Sequence, residues 1–327
     1  MSKLDSTGEI SEWGNGAVAR PLIIDCDPGV DDAIAILLTL ASSDDLDLQA
    51  ITTVAGNVPL DLTHSNARKI CELAGHPEVK VYAGCPRPML RVLETAREVH
   101  GKTGLDGTTR PEPTMPLQSQ HAVSYLMEAI SNAPEPVTIA AIGPLTNLAL
   151  AFIQAPNLVE NIAEIVIMGG AITQGNITPS TEFNFYVDPH AAQVVISSGA
   201  PISLFTLDLT HKVISTPERL AAIRAIGTKP AIAAADMLQF YGQFSMNRYG
   251  TPGGFLHDPC PIAYLLKPEL FEGRLFSVEV ETVSEITMGR SIVDLWNITE
   301  PEANIRVMER VDADGVYRLV CDRLQRL

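Results

Sequence analysis

Six short, almost wholly apolar runs alternate with segments of helical pattern over the first two thirds of the chain. The runs are LIID (22–25), LQAITTVAG (48–56), VKVYAG (79–84), VTIAAIG (137–143), IVIMGG (165–170) and ISLFTLD (202–208). The helical patterns lie at 31–43, 61–74, 118–132, 144–154 and 188–198. Strands without polar alternation are typical of a parallel sheet that is covered on both faces. The alternation therefore predicts an α/β fold, with a doubly wound, mostly parallel central sheet and helices on both faces.

The last third of the chain has a different pattern. Residues 217–247 are rich in alanine and predict helix. The segment NIRVMERVDADGVYRLV (304–320) predicts a C-terminal β-hairpin that turns at Asp314-Gly315. Because no internal repeat or low-complexity linker divides the chain, we expect a flexible N-terminal tail at 1–20 and a single domain at 21–327.

Charge and cysteine usage restrict the kind of partner. The formal net charge is −16, from 23 Lys and Arg against 39 Asp and Glu, and no long basic run is present. This charge argues against nucleic acid or an anionic membrane and favours a small neutral or cationic ligand, or a metal. The five cysteines are scattered without a CxxC pair, which is typical of reduced thiols in the cytoplasm.

Four carboxylates are crowded into eight positions of the segment PLIIDCDPGVDDAIAILL (21–38). They are Asp25, Asp27, Asp31 and Asp32, and strongly apolar segments flank them. Like charges this close repel each other unless a cation lies among them, and calcium or magnesium would bind such oxygen ligands. The alternative is that Asp31 and Asp32 are ordinary acids at a helix N-terminus and that Asp25 is a solvated strand end.

Two familiar aspartate motifs do not fit this segment. An EF-hand loop that starts at Asp25 needs glycine at its sixth position and glutamate at its twelfth, where this chain has Val30 and Ile36. An aspartyl phosphatase motif would place threonine or valine where Gly29 stands.

Other polar segments are expected near these aspartates, because ligands bind beyond the carboxyl ends of the strands in open α/β sheets. Asn57 follows the strand at 48–56, and Ile142 lies near the end of the strand at 137–143. Three further segments carry chemistry-bearing side chains. They are GNITPSTEFNFYVDP (175–189) with Asn176, Glu182 and Asn184, GGFLHDPC (253–260) with His257 and Asp258, and VHGKTGLDG (99–107) with His100. An extended conformation at 175–189 would point its three polar side chains to one side.

Taken together, these segments resemble one family. The motifs DCDPGVDDA, VAGN, HGKTGLDG, AIGPLTNLA, MGG, GNITPSTEFNFYVDP and HDP occur in this order. They are similar to the motifs of the inosine-uridine-preferring nucleoside hydrolases, which cleave the N-glycosidic bond of ribonucleosides. The resemblance extends from about Pro21 to beyond Trp296, and it implies the same α/β fold.

The resemblance also implies roles for individual residues. A Ca²⁺ ion would be held by Asp27, Asp32, Asp258 and the backbone carbonyl of Ile142. The ribose would be bound by Asp31 and Asn184 at its 2′- and 3′-hydroxyls, by Asn176 and Glu182 at its 5′-hydroxyl, and by Asn57 and Met168 along the site. Asp25 would support the cluster from behind.

The resemblance implies hydrolysis through an oxocarbenium-like ribosyl group. Asp27 would be the general base and His257 the acid for the leaving base, with His100 assisting. His257 places the chain in the histidine-containing branch. Tyr241, Ser245 and Tyr249 are expected one turn apart on one face of a predicted helix. Tyr249 at this place resembles the pyrimidine-preferring members, which favours nucleosides such as uridine and cytidine, with inosine also possible. A homo-oligomer, dimer or tetramer, is expected by the same resemblance.

Two other functions remain open at this point. One is a calcium-dependent nucleoside or sugar-binding protein without catalysis. The other is a metal-dependent phosphohydrolase that uses the same aspartates, although the segment 175–189 contains no Lys or Arg to bind a phosphate.

Overall fold

The computed structural model describes residues 19–299 and 303–327. Eight strands within these ranges form one central sheet in the order β3-β2-β1-β4-β5-β6-β10-β7. The strands of this sheet are β1 (Arg20–Cys26), β2 (Leu46–Thr53), β3 (Val81–Ala83), β4 (Val137–Ala141), β5 (Ile162–Met168), β6 (Ile202–Phe205), β7 (Phe271–Phe276) and β10 (Ile305–Val311).

The sheet is parallel except at one edge. Ile24 of β1 pairs in parallel with Ile51 of β2 on one side and with Ala140 of β4 on the other. Strand β7 pairs antiparallel with β10 and forms the exception. The predicted doubly wound, mostly parallel α/β sheet is therefore confirmed.

Helices cover both faces of the sheet. They are α1 (Val30–Leu40), α2 (Leu60–Leu73), α3 (Arg97–His100), α4 (Ala122–Ser131), α5 (Thr146–Gln154), α6 (Phe183–Val187), α7 (Pro189–Ile196), α8 (Leu207–Thr210), α9 (Pro217–Ala225), α10 (Lys229–Tyr249), α11 (Pro259–Leu266) and α12 (Ala313–Leu324). Leu22 and Ile24 pack with α1, α2, α10, α11 and α12, whereas Ile23 packs with α4, α5 and α7 on the opposite face. All eleven residues of α1 are buried, which explains its apolar sequence.

The C-terminal segment corrects one prediction. Residues 304–320 do not form a hairpin; instead, β10 is followed directly by α12. Asp314-Gly315 lies in the first helical turn, where the Asp312 carboxylate accepts a hydrogen bond from the Gly315 N–H. Val316 and Val320 are buried one turn apart, so the helical period of apolar residues prevails over the local turn signal. An antiparallel hairpin does exist earlier in the C-terminal region, between β8 (Val278–Val280) and β9 (Ser291–Val293).

Three smaller differences concern element boundaries. The predicted helix at 217–247 is divided into α9 and α10 by residues 226–228. The predicted strand at 202–208 ends at Phe205, and α8 follows it. Most of the predicted tail at 1–20 lies outside the described residues, and β1 already begins at Arg20.

The chain order places one crevice at the centre of the sheet. From β1 the chain continues through β2 and β3 on one side, and then returns to build β4, β5 and β6 on the other. The ends of β1 and β4 therefore flank the topological switch point, where open α/β sheets bind their ligands. No helix of the described ranges is both long and apolar enough to cross a membrane.

Candidate active site

A cluster of buried carboxylates lies at the switch point. Asp27 follows β1, Asp31 and Asp32 occupy the first turn of α1, and Asp258 precedes α11. None of the four side chains is more than 4% exposed. Asp31, Asp32 and Asp258 each offer an oxygen that lies within 4.8 Å of the other two, a spacing that can hold a metal ion.

Asp27 is held tightly and keeps one oxygen free. Its Oδ2 accepts a hydrogen bond of 2.6 Å from the Asn57 backbone N–H, whereas its Oδ1 is buried without a partner in the described part of the chain. Two glycines make room for this carboxylate. A Cβ atom at Gly143 would lie 2.7 Å from Oδ1, and one at Gly56 would overlap Oδ2. The local sequence thus creates an acceptor that needs a ligand.

Asp32 and Asn57 fix the geometry of the loop before α1. Asp32 accepts hydrogen bonds from the backbone N–H groups of Asp27 and Gly29, at 3.2 and 2.9 Å. The Asn57 side chain donates to Asp32 Oδ2 at 3.1 Å. Asn57 therefore contacts both Asp27 and Asp32, and it also lines the cleft described below.

Burial raises the pKa of every carboxyl in the cluster. Burial first, and the charge of Asp32 second, raise the pKa of Asp31 to about 8. The pKa values of Asp27 and Asp258 are raised well above the ordinary value by burial first and by the neighbouring carboxylates second. Four adjacent negative charges are unfavourable here without a cation. Because the available ligands are all oxygens, the site fits a hard divalent cation.

Asp25 supports this region from beneath the loop. Its Oδ1 accepts hydrogen bonds from Thr52 Oγ1 at 2.6 Å and from Asn147 Nδ2 at 2.8 Å. Its Oδ2 is buried without a partner among the described residues. Burial raises the pKa of Asp25 to about 6, although both hydrogen bonds act in the opposite direction. Asp25 thus links β1 to β2 and to α5.

The Ile142 carbonyl is close to this cluster and already has one partner. Asn184 Nδ2 donates to Ile142 O at 3.0 Å and to Met168 O at 3.1 Å, so one amide connects the ends of β4 and β5. A carbonyl oxygen has two lone pairs, so Ile142 retains capacity for a second ligand.

The segment 175–189 is not extended. Residues 176–180 form a series of bends, and Glu182 caps the short helix α6. The Glu182 carboxylate accepts from the backbone N–H groups of Gly170, Asn184 and Phe185. Burial raises its pKa to about 7 against these hydrogen bonds. Asn176 Oδ1 is buried without a partner in the described ranges, so it is free to bind a ligand.

Two predicted histidines are buried at the site. His100 Nδ1 accepts a hydrogen bond of 3.1 Å from the Val30 N–H, and burial lowers its pKa to about 3. His257 Nδ1 lies 2.7 Å from Thr210 Oγ1. Burial, and then the charges of His211 and His100, lower the pKa of His257 well below its ordinary value. Burial therefore favours the neutral form of both imidazoles.

A cleft of about 770 Å³, counting its open mouth, brings most of the predicted residues together. The predicted residues that line it are Asp31, Asn57, His100, Ile142, Met168, Asn176, Glu182, Asn184, Tyr249, His257 and Asp258. Asp27 and Asp32 do not line the cleft; both are fully buried, beneath the polar residues that form its floor. None of the described residues lining the cleft is Lys or Arg.

The mouth of the cleft has an aromatic wall that sequence reasoning found only in part. Tyr241, Ser245 and Tyr249 lie on one face of α10, as predicted. His211 and Phe255 complete the wall, with ring centroids 4.1 Å apart, and neither was predicted. Phe255 lies in the segment GGFLHDPC, and His211 lies three residues after the apolar run at 202–208. Only the tertiary fold brings the two side chains together at the cleft.

Comparisons with known proteins identify relatives of this chain. A family model described as inosine-uridine preferring nucleoside hydrolase matches residues 22–318. The chain is 44% identical over 309 residues to the pyrimidine-specific ribonucleoside hydrolase RihA of Escherichia coli (strain K12), a match that covers 94% of this chain and 99% of RihA.

Solved structures show the same likeness. A plant nucleoside hydrolase, the PpNRh1 enzyme, matches with a TM-score of 0.88 and 31% identity. A purine-preferring ribonucleoside hydrolase from Gardnerella vaginalis matches with a TM-score of 0.87 and 31% identity. Each match covers 94% of this chain and 99% of the other.

Proposed function

The chain belongs to the inosine-uridine preferring nucleoside hydrolase family and is a ribonucleoside hydrolase, and from this premise we propose that it cleaves pyrimidine nucleosides with the help of a bound calcium ion. The products are ribose and the free base. Uridine and cytidine are the expected substrates, with inosine as a further candidate. The observation that carries the proposal is the unpartnered, buried Oδ1 of Asp27 beside three other carboxylates.

The proposed cation ligands are Asp27, Asp32, Asp258 and the Ile142 carbonyl. The raised pKa values of the three carboxyls support a bound cation, and a ligand set made only of oxygens supports a hard divalent one. When bound, calcium would orient a water molecule and the ribose diol and lower the pKa of that water. Asp31, which lines the cleft beside this cluster, is left to accept hydrogen bonds from the ribose hydroxyls.

The floor of the cleft suits a ribose whose C1′ becomes positively charged. Asp31 and Asn184 are proposed to bind the 2′- and 3′-hydroxyls, and Asn176 and Glu182 the 5′-hydroxyl. Buried carboxylates stabilise an oxocarbenium-like ribosyl group more than the neutral substrate, and this difference lowers the barrier.

Proton transfer and assistance to the leaving base are assigned to three side chains. Asp27 is proposed as the general base that takes a proton from the attacking water, because its Oδ1 has no competing hydrogen bond among the described residues. His257 is proposed to assist the departing base, because its ring lies against the aromatic wall of the cleft. His100 is proposed to assist as well, and its ring centroid lies 5.4 Å from that of Tyr241.

Base preference is proposed from the wall and from the relatives. Tyr249 ends α10 at the mouth of the cleft and is 39% exposed, so it can contact a bound base. The RihA relative is named as pyrimidine-specific and is 44% identical to this chain. The purine-preferring structural neighbour is only 31% identical, which supports the pyrimidine assignment.

Release of reducing ribose from uridine, cytidine, inosine and adenosine tests these proposals. Wild type should act most strongly on the two pyrimidine nucleosides in the presence of calcium. Asp27→Ala and the isosteric Asp27→Asn should lose at least about a thousandfold in kcat, because base and cation ligand are removed together. The exposed Asp322→Asn serves as the control and should match wild type. Preferential cleavage of inosine and adenosine would contradict the base assignment.

The same assay separates the two alternatives. A calcium-dependent binding protein would gain thermal stability with uridine and release nothing. A phosphohydrolase would need cationic groups for the phosphate, and the described lining contains neither Lys nor Arg. Release of inorganic phosphate from nucleotides, without ribose from uridine, would favour that class.

The proposal also covers assembly, location and domain organisation. The region from 283 to 298 exposes Val283, Ile286 and Trp296 by 84–87%, and such apolar surface supports a homo-oligomer, either a dimer or a tetramer. Light scattering of wild type and Trp296→Ser tests this. The five free cysteines support a cytoplasmic location. Residues 21–327 are proposed to act as one catalytic domain.

A further inference from the structure

Thr210 makes a contact with His257 that the proposed mechanism does not yet use. Thr210 is the last residue of α8, is fully buried, and places Oγ1 2.7 Å from His257 Nδ1. The two residues are 47 positions apart, but backbone pairing aligns their segments. Leu256 N donates to Val213 O at 2.8 Å, and Ser215 N donates to Gly254 O at 2.8 Å. The contact is therefore built into the fold.

The direction of this hydrogen bond follows from the surroundings of the hydroxyl. A threonine hydroxyl has one proton to donate, whereas a neutral imidazole has one nitrogen that donates and one that accepts. Within the described residues, His257 Nδ1 is the one partner of Thr210 Oγ1. If Nδ1 carried the proton, the buried hydroxyl proton of Thr210 would have no acceptor, which is costly. Thr210 therefore donates, Nδ1 accepts, and the ring proton lies on Nε2.

We propose that Thr210 is a positioning residue, which holds His257 as the neutral tautomer that presents its Nε2–H to the leaving base. This inference rests on the proposed function and deepens it. His257 then acts by donating a strong hydrogen bond to the base instead of releasing a full proton.

The chemistry balances without a protonated histidine. As the C1′–N bond breaks, its electron pair stays on the base, and the Nε2–H group hydrogen-bonds to the resulting anion. A pyrimidine anion shares its charge with a carbonyl oxygen, which is a suitable acceptor. Water forms the new bond to C1′ and loses one proton through Asp27, and the base anion finally takes up one proton from solvent. One nucleoside and one water thus give one ribose and one base.

The tautomer can be measured directly in the calcium-loaded protein. Nitrogen-15 NMR of histidine-labelled wild type, with His257 assigned from its absence in His257→Gln, should show Nδ1 unprotonated and Nε2 protonated. In Thr210→Val that preference should weaken or disappear, while Thr210→Ser should keep it. A proton on Nδ1 in wild type would overturn the proposal whatever the enzymatic activity is.

Kinetics with two leaving groups separate positioning from packing. Thr210→Val should lower kcat for uridine roughly five- to tenfold, as expected for one lost hydrogen bond, with little change in KM. It should leave turnover of p-nitrophenyl riboside unchanged, because nitrophenolate departs without help. Thr206→Val is the matched control, since its hydroxyl on the same turn is buried without a partner in the described ranges.

Two kinetic results would refute this role. They are an unchanged kcat for uridine in Thr210→Val and an equal loss with both substrates. If wild type releases no ribose from uridine, the proposed function fails, and the NMR result still decides the hydrogen bond on its own.

Discussion

Replacing Asp25 by asparagine is expected to change how the free energy of unfolding depends on pH. The Asp25 carboxyl is fully buried, and burial raises its pKa to about 6 in the folded protein, against an ordinary value of 3.8. Between these values the folded state keeps a proton that the unfolded chain has released. Because the folded state binds more protons there, a rise in pH lowers stability over this window.

The size of the effect follows from the two pKa values. Each pKa unit corresponds to about 1.4 kcal/mol, so burying Asp25 lowers the free energy of unfolding by about 1 kcal/mol at pH 4.5 and about 3 kcal/mol at pH 7. Asparagine does not titrate and lacks this dependence. Relative to wild type, Asp25→Asn should therefore become more stable by about 2 kcal/mol on going from pH 4.5 to pH 7.

Other consequences of the substitution cancel in this comparison. The new amide can still accept from Thr52 and Asn147 through its oxygen, but its NH₂ group replaces an oxygen that has no described partner. That unsatisfied donor costs about 1–3 kcal/mol at both pH values. Only the change between the two pH values isolates the titration of Asp25.

Urea unfolding in the presence of a chelator, followed by circular dichroism at pH 4.5 and pH 7, measures the difference. Asp322→Asn, at an exposed position on α12, is the control and should track wild type at both pH values. If the free energy of unfolding of Asp25→Asn differs from that of wild type by the same amount at both pH values, the reasoning about the buried carboxyl is wrong.

Three further predictions concern ligands. Asp258→Asn should weaken calcium binding at least about tenfold in calorimetry, because a buried oxygen ligand loses its charge, and unchanged affinity would exclude it as a ligand. Calcium binding near pH 7 should release protons and weaken as the pH falls. Burial and Asp32 raise the pKa of Asp31, which lies beside the proposed ligands, to about 8, and a cation bound there would favour its ionised form. Calorimetry in two buffers of different ionisation enthalpy detects this release, and its absence would contradict the reasoning. Asn176→Ala should raise KM for uridine but hardly for 5′-deoxyuridine, and equal effects on both would remove Asn176 from the 5′-hydroxyl.

Much of the fold could be predicted because the central strands are buried on both faces. In a run such as Ile165–Met168 every residue is apolar and buried, so the sequence alone identifies it as a strand that is covered on both faces. The hairpin error at 304–320 had the opposite cause. The Asp314-Gly315 pair is a common turn signal, but the burial of Val316 and Val320 on one helical face decided the outcome.

The floor of the site could be predicted for a related reason. Asp27 directly follows β1, and Asn57 lies in the loop that follows β2, so their position in the chain already places them at one edge of the parallel sheet. The wall could not be predicted in the same way. His211 and Phe255 meet only because residues 213–215 pair with 254–256, and neither segment shows that pairing in its sequence.

The difference between floor and wall has a consequence for how this enzyme can be altered. The floor is assembled from separate parts of the chain. The Asp27 and Asp32 carboxylates there accept hydrogen bonds from backbone N–H groups, so one exchange disturbs several neighbours. Much of the wall comes from a single helix, α10, whose side chains reach the cleft from outside the sheet. On the proposed base contacts, we therefore expect that selectivity for the base can be redesigned by changing one helix while the chemistry beneath it stays intact. A library confined to α10 is the natural starting point for such redesign.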